Sequence, residues 1–547
     1  MEKSAKDILI IELKDMISDL REDNKSLRLT IDKNTSELES LRELLLNAQE
    51  ENKYLRKMIF GTKSEKRKVI DTNENQMTIF ELMDIEPPKP LEQEVLTSSD
   101  EDDVKGVTVK EHTRKSKTTL EEKLKNLPCE EIEIPLEGDA LLCKKCGTKL
   151  TRIGREYIRQ EVVYTKPTIK VVKYYSIKYK CFECDKTAAK SIIYKSEVPK
   201  GLLKHSYISH SILSEIMYQK VSNSVPLYRQ EKDWKRYGLE LSRATMANLI
   251  ISCSDLYMAP IYERSRYHLL KRTFAMADES RLQVLKEKGR KPQTDSYMWL
   301  FRSGNDGEPP IILYKYHETR NGDNAKTFLD GFDGYLMTDG FSGYNKLSNI
   351  KRCCCYAHLR RYFIDAIPSG KENDFNEPAV QGRIYIDKLF DYERRYKEKG
   401  YSFNKIKERR LRDEKPLIEA FLSWIDVQIP RKGSRFAKAL TYANNRRPYM
   451  FTYLEDGRCS IDNNDSERMM KSYVTGRKNW LFADSTEGAD ALAICYSMTE
   501  MAKANGLDPS KYLDYLLANQ PTFEMSPEEL DEFLPWSDKV KSACSIL

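Results

Sequence analysis

A heptad repeat sustained over residues 8 to 59 constrains this chain more than any other stretch. Its a positions are Ile10, Ile17, Asn24, Ile31, Leu38, Leu45, Asn52 and Ile59, and its d positions are Leu13, Leu20, Leu27, Asn34, Leu41, Ala48 and Leu55. That is well beyond the roughly three or four heptads that mark a coiled coil. Isoleucine at a with leucine at d favours two parallel strands, and asparagine at a fixes register at some cost in stability. The spacing predicts a long helix that pairs with a second copy of the chain. Gly61, in FGTKSEKRK, ends it and opens a basic cluster.

At 547 residues the chain is too long for one core and should divide into roughly three to five domains. Charged residues make up 32%, mean hydropathy is −0.65, and no apolar run approaches the ~20 residues of a membrane span. A membrane role is therefore not expected. The opening MEKSAKDILIIELKD lacks the regions of a secretory signal, which points to the cytoplasm, at the nucleoid if the partner is DNA. A net charge of +6 is too small to announce nucleic acid by itself, so any basic surface must be local. The twelve cysteines include two CxxC pairs and a CCC run; in a large cytosolic chain these favour metal over disulfides.

Residues 68–125 lose all periodicity and carry EPPKP, SSDEDD and RKSK, the composition of a disordered linker; within it QMTIFELMD is at most a short docking helix. Next, Cys143 and Cys146 form one CxxC knuckle and Cys181 and Cys184 another. The interval between them is rich in Val, Ile and Tyr and reads as two or three strands. Two thiolate pairs on hairpins are what a closed tetrahedral Zn²⁺ site requires, and such a site stabilises a module with little core. From Pro199 the pattern becomes helical. HSYISHSILSEIMYQKV reads as one helix and PLYRQEKDWKRYG as a second, begun by Pro226 and stopped at Gly238. Ser242 then caps RATMANLIISCSDLYM, with Arg243, Thr245 and Asn248 exposed. The sequence of helix, glycine turn and capped helix is that of a helix-turn-helix.

After residue 270 strands take over. KRTFAMADESRLQVL carries Asp278, DSYMWLFRSG and PPIILYKYHE follow, Asp323 to Phe332 reads as a short helix, and GYLMTDGFSGYNKL ends a strand on Asp339. IKRCCCYAHLRRYFIDAI then runs from strand to helix. This is the element order of a ribonuclease-H-like fold. Asp278 and Asp339 lie within or at the end of apolar strands, where a bare carboxylate is costly unless paired or metal-bound. A third acid is expected in IDNNDSERMMKSYVTGRKNWLF, residues 461 to 482. Asn463 or Asn464 caps a helix that Gly476 should break, Glu467 falls in the first turn, and Arg468, Lys471, Arg477 and Lys478 are candidate phosphate contacts. Two strand carboxylates and one helical carboxylate can hold two Mg²⁺ (or Mn²⁺) ions ~3.5–4 Å apart across a phosphodiester. Between Asp339 and Glu467, residues 370–448 read as helices whose cations Arg394, Arg395, Lys407, Arg409, Arg410, Arg446 and Arg447 are candidates to line a DNA path. Trp424 is expected in the core.

These ordered motifs together resemble the transposases of the insertion sequence 66 family (TnpC type) over nearly the full length. The resemblance rests on FGTKSEK, the CKKC and CFEC pairs, VPLYRQEKDWKRYGLELSRATM, ADES, YLMTDGFSGYN, CYAHLRRYF, DNNDSERMMK, GRKNWLF and NGLDPSKYL. It implies a DDE transposase with Asp278, Asp339 and Glu467 as metal ligands, and it selects Glu467 over the nearby Asp462 and Asp465. It also implies that accessory proteins take part. Cys355 and His358 match the family's C-x-x-H, half the spacing of a zinc site; packing is the expected role.

The expected organisation is multidomain α+β. A coiled coil (1–67) and linker (68–125) precede a zinc ribbon (126–198) and a helix-turn-helix-like domain (199–262). A ribonuclease-H-like core (263–359 and 458–506) follows, interrupted by a helical insertion (360–457), with a helical tail (507–547). The expected activity is cleavage of the element's ends and strand transfer into target double-stranded DNA. The alternatives are a dimeric DNA-binding regulator with an inert core and a nuclease that cuts without joining.

Overall fold

The computed structural model describes residues 5–60, 168–180, 193–196, 198–347 and 349–546. The linker, the possible docking helix at 76–84, the basic cluster after Gly61 and the cysteines Cys143, Cys146, Cys181 and Cys184 lie outside the described residues. The chain is helix-rich and multidomain, with one mixed sheet. Its contacts group residues 90–198 and 236–239 apart from most of the rest. In that smaller unit a two-stranded antiparallel hairpin pairs β1 (Lys178–Lys180) with β2 (Ile193–Lys195).

In the larger unit, α1 (Ala5–Phe60) is a single helix of 56 residues. Leu27, Ile31, Leu38, Leu41 and Leu45, all on its a/d seam, are exposed. Three short helices follow: α2 (His210–Val221), α3 (Leu227–Arg236) and α4 (Arg243–Cys253). The first starts later than its apolar pattern suggests, because His205 has φ of +64°, outside helical backbone. Pro226 sits one residue ahead of α3, its carbonyl accepting from Arg229 and Gln230. Ser242 caps α4 as expected, its hydroxyl accepting from the Thr245 N–H at 3.1 Å. The helix then runs through a π turn (Ser254–Met258) into α5 (Ala259–Leu270). Pro260 explains the turn: without an N–H it cannot continue the i→i−4 ladder, and Ala259 bonds back to Ser254 instead.

The sheet contains β3 (Phe274–Lys286), β4 (Asp295–Ser303), β5 (Ile312–His317), β6 (Tyr335–Thr338) and β7 (Lys351–Cys354) in the order β5-β4-β3-β6-β7. The first three are antiparallel neighbours, whereas β6 and β7 run parallel to β3. Between β5 and β6 lies α6 (Gly322–Phe328), and β7 leads into α7 (Tyr356–Ala366). The insertion comprises α8 (Pro378–Glu398), α9 (Phe403–Arg409), α10 (Lys415–Asp426) and α11 (Arg435–Arg446). Phe363 of α7 and Phe421, Trp424 and Phe436 of the insertion form one aromatic cluster, so Trp424 is a packing residue. Arg410 and Arg446 are buried and do not line a surface path. Arg410 instead forks onto Glu393 at 2.6 and 2.7 Å and donates to the carbonyls of Tyr453, Asp456 and Cys459.

The chain returns to the sheet with α12 (Asn464–Trp480), β8 (Ala483–Ser485) and α13 (Thr486–Ala504), and ends in α14 (Pro509–Asn519), α15 (Pro527–Asp531) and α16 (Asp538–Cys544). Gly476 does not break α12. A Cβ there would stand 2.1 Å from the Tyr496 hydroxyl, so glycine is required by the approach of α13 while the helix runs on to Trp480. Along the outer edge of β5, Tyr314 N–H donates to Ser497 Oγ of α13 at 2.8 Å, which covers a bare strand edge.

Candidate active site

The pairing of β3 with β6 places the first two acids. Phe274 lies beside Tyr335 and Met276 beside Met337. Continuing that parallel register by two residues sets Asp278 beside Asp339, just past the end of β6, on the same face. β8 takes up the same edge of β3 only at Val284. In the gap, the β3 carbonyls are met by α12: Asn463 Nδ2 donates to Ala277 O at 3.0 Å, and Tyr473 Oη and the Arg477 guanidinium donate to Arg281 O. Asn463 is the N-cap residue by position, yet its side chain caps nothing; it straps the helix start to the strand that bears Asp278.

That strap brings Glu467 to the two aspartates. Burial raises the Asp278 carboxyl well above the usual range, and the charges of Glu279, Asp339 and Glu467 push it further. Glu467 is buried, and its Oε1 accepts no hydrogen bond among the described residues. Carboxylates crowded in this way, with one buried oxygen unsatisfied, are the donor set a hard divalent cation takes. The rival acids are used otherwise. Asp462 accepts from the Asn464 N–H at 3.1 Å and from its Nδ2 at 2.9 Å, and burial lifts it to about 6. Asp465 faces Asn305, Arg302 and Arg468.

Four neighbours escaped the sequence reading. Arg361 of α7 reaches Glu467 Oε2 at 3.6 Å. Arg320 bonds Glu279 at 2.6 Å and stands 3.6 Å from Asp339 Oδ2, while Tyr344 donates to the other Glu279 oxygen at 2.6 Å. Glu279 is held at about 6, raised first by burial and then by Asp339, against the pull of Arg320. The only hint in sequence was the ADES motif itself. Cys355 and His358, noticed as a motif, lie in the same site: His358 Nδ1 is 3.3 Å from Cys355 Sγ and 3.6 Å from Glu467 Oε1.

The candidate DNA contacts are dispersed. Arg243, Thr245 and Asn248 are exposed on α4, Arg468, Lys471 and Lys478 are exposed on α12, and Arg477 is half-buried against β3. Among the described residues no helix is long and apolar enough to cross a membrane.

Comparison with known proteins gives these positions a context. The family model described as "Transposase IS66 family" matches residues 205–491, a span that includes Asp278, Asp339 and Glu467. The zinc-finger binding domain of transposase IS66 matches 141–185, around all four outlying cysteines, and the IS66 C-terminal element matches 497–536. A fourth model, "Transposase C of IS166 homeodomain", matches 47–132. The uncharacterized protein y4jD of Sinorhizobium fredii is 24% identical over 92% of this chain and 96% of its own length. From the same organism, y4hP is 24% identical over 74% of this chain and 75% of its own. With more than half of the sequence inside one family model, and three companion models matching in order along it, this chain belongs to the IS66 family of transposases.

Proposed function

We propose that this transposase cleaves the ends of its mobile element and joins them to target DNA through Asp278, Asp339 and Glu467. The observation that carries the reading is the convergence of three carboxylates from β3, the end of β6 and α12; Asp278, raised first by burial, is raised further by the charges of Asp339 and Glu467. The sheet order, three antiparallel strands followed by two parallel ones, supports reading residues 263–359 and 458–506 as a ribonuclease-H-like core and 360–457 as its insertion. A bound pair of Mg²⁺ or Mn²⁺ ions supplies Lewis-acid polarisation of the phosphodiester and a water acidic enough to attack at neutral pH. Asp278, Asp339 and Glu467 are the residues that would hold these ions. Arg361 lies at ion-pair distance from the second oxygen of Glu467, and Arg477 and Lys478 hold phosphates beside the cleft. Attack of water on the phosphodiester leaves a 3′-OH at the element end. That hydroxyl then attacks a target phosphodiester in line, forming a new P–O bond as the target's own P–O3′ bond breaks and its 3′-OH leaves with a proton, with no covalent bond to the protein. The segment 126–198, through Cys143, Cys146, Cys181 and Cys184 on a structural Zn²⁺, and the helices of 199–262, through Arg243, Thr245 and Asn248, recognise the ends; accessory transposition proteins complete the assembly.

The test is a strand-transfer assay in Mg²⁺ with wild type and Asp339→Asn. Wild type should nick and join, whereas the variant should do neither while still shifting end DNA in a gel. Equal activity of the two proteins refutes the catalytic assignment. Nicked ends that never enter a target plasmid would instead identify a nuclease that cuts without joining.

A further inference from the structure

The Cys355-x-x-His358 pair has half of a metal site's spacing and no second pair in sequence. The fold supplies a third donor from 109 residues further along (467 minus 358). Cys355 occupies the N-cap position of α7 and His358 its first turn, and both face the first turn of α12. One ligand atom each of Cys355, His358 and Glu467 lies within 4.8 Å of the other two. Tetrahedral Zn²⁺, with a Zn–S bond of about 2.3 Å and Zn–N and Zn–O bonds of about 2.0–2.1 Å, sets its donor atoms about 3.3–3.6 Å apart. The contacts from His358 Nδ1, 3.3 Å to sulfur and 3.6 Å to oxygen, are already on that scale.

The surroundings are those of a built site. The Asn463 N–H donates to Cys355 Sγ at 3.3 Å, the outer hydrogen bond that steadies a metal-bound sulfur. Arg361 Nη2 stands 3.6 Å from Glu467 Oε2, an ion-pair distance with no hydrogen bond, and Oε1 is buried without a hydrogen-bond partner, with His358 Nδ1 3.6 Å away. A plain packing role accounts for the sulfur–imidazole contact but leaves that oxygen unsatisfied.

We propose that Cys355, His358 and Glu467 form a site for a thiophilic divalent cation, with Zn²⁺ the ion whose ligand preferences match. Coordination replaces the Cys355 S–H bond with a metal–sulfur bond and releases its proton to water. The site shares Glu467 with the Asp278–Asp339 cluster, so occupancy withdraws that carboxylate from the reaction. Zinc therefore antagonises Mg²⁺ here, a consequence that rests on the catalytic reading of Glu467, although the binding itself does not. Nitrogen and sulfur donors select Zn²⁺ over Mg²⁺ at this position.

Full-length wild type, Cys355→Ser and His358→Gln are dialysed against buffered free Zn²⁺, and zinc per chain is measured by mass spectrometry of the metal. Circular dichroism identifies which variants are folded, and two are used so that loss of one fold leaves the other. Wild type should hold one more zinc ion per chain than each folded variant, whatever the zinc-finger segment contributes. Equal zinc contents overturn the site. In parallel, Mg²⁺-dependent end cleavage is compared with and without added Zn²⁺ within each protein. Wild type should fall by about tenfold, as the stronger-binding ion displaces use of Glu467, and the ratio for each variant should stay near one. Extra zinc in wild type with undiminished cleavage would leave the binding site standing and overturn the antagonism, and with it the catalytic role of Glu467.

Discussion

At the scale of single residues, position in the strand order made Asp278 and Asp339 readable, because an acid inside an apolar run needs a partner. Glu467 was harder, since three acids lie within six residues and periodicity does not rank them. Tertiary contacts separate them: Asp462 caps the helix start, Asp465 pairs with cations, and Glu467 alone of the three meets α7 through His358 and Arg361. Replacing Glu467 with Gln should lower end cleavage by about 10³-fold or more, some 4 kcal/mol of barrier, without weakening end binding in a mobility-shift assay. Gly476 makes the opposite point. It resembled a helix stop, yet the Tyr496 hydroxyl fills the space a Cβ would take. Gly476→Ala should therefore destabilise the chain by about 1–3 kcal/mol through overpacking, even though alanine favours helix, and chemical denaturation will show the sign.

At the scale of elements, strands and helices followed their apolar periods closely, and the departures have local causes. The π turns at Ser254–Met258 and Arg410–Glu414 each precede a proline, Pro260 and Pro416, whose missing N–H forces a wider bond. The second turn carries Arg410 and Glu414 into the insertion's interior, where burial first and Glu393 second push Glu414 up to about 9. The Tyr453 hydroxyl donates to it. A carboxyl raised in the fold is bound to its proton there, so its stabilising contribution is complete below the ordinary value of 4.5 and is lost as pH climbs towards 9. Thermal melting should accordingly drop between about pH 6 and about pH 9.5 in wild type, and less so in Glu414→Gln. Equal drops would show that Glu414 is already ionised at the lower pH.

At the scale of the whole molecule, α1 presents two different faces. Its a/d seam is exposed from Leu27 to Leu45, while residues at c, f and g, away from the seam, touch the insertion. Asn47 donates to Lys432 O at 2.9 Å, Glu50 pairs with Arg431 at 2.6 Å and Glu51 with Arg435 at 3.2 Å. The helix thus has a neighbour in its own chain and still leaves its apolar stripe exposed, as the proposed pairing with a second copy requires. Deleting residues 1–60 should halve the mass seen by light scattering; an unchanged mass would remove the zipper from the assembly.

The sequence by itself determined what depends on near neighbours: the long amphipathic helix, the strand order, the cap at Ser242, and Asp278 and Asp339 as candidate acids. Each of these follows from periodicity or from a side chain meeting its own backbone a few residues away. Only the tertiary structure decided the contents of the site. Asn463 reaching a β3 carbonyl, Arg320 bridging Glu279 towards Asp339, and Cys355, His358 and Arg361 gathering about Glu467 all join segments separated by tens to nearly two hundred residues. No local pattern encodes such meetings, because they are settled by how the sheet twists and packs its helices. The stretch 461–482 was recognisable from its acids and cations, but which of its side chains face Asp278 and Asp339 was decided by the packing of α12 against β3 and α7.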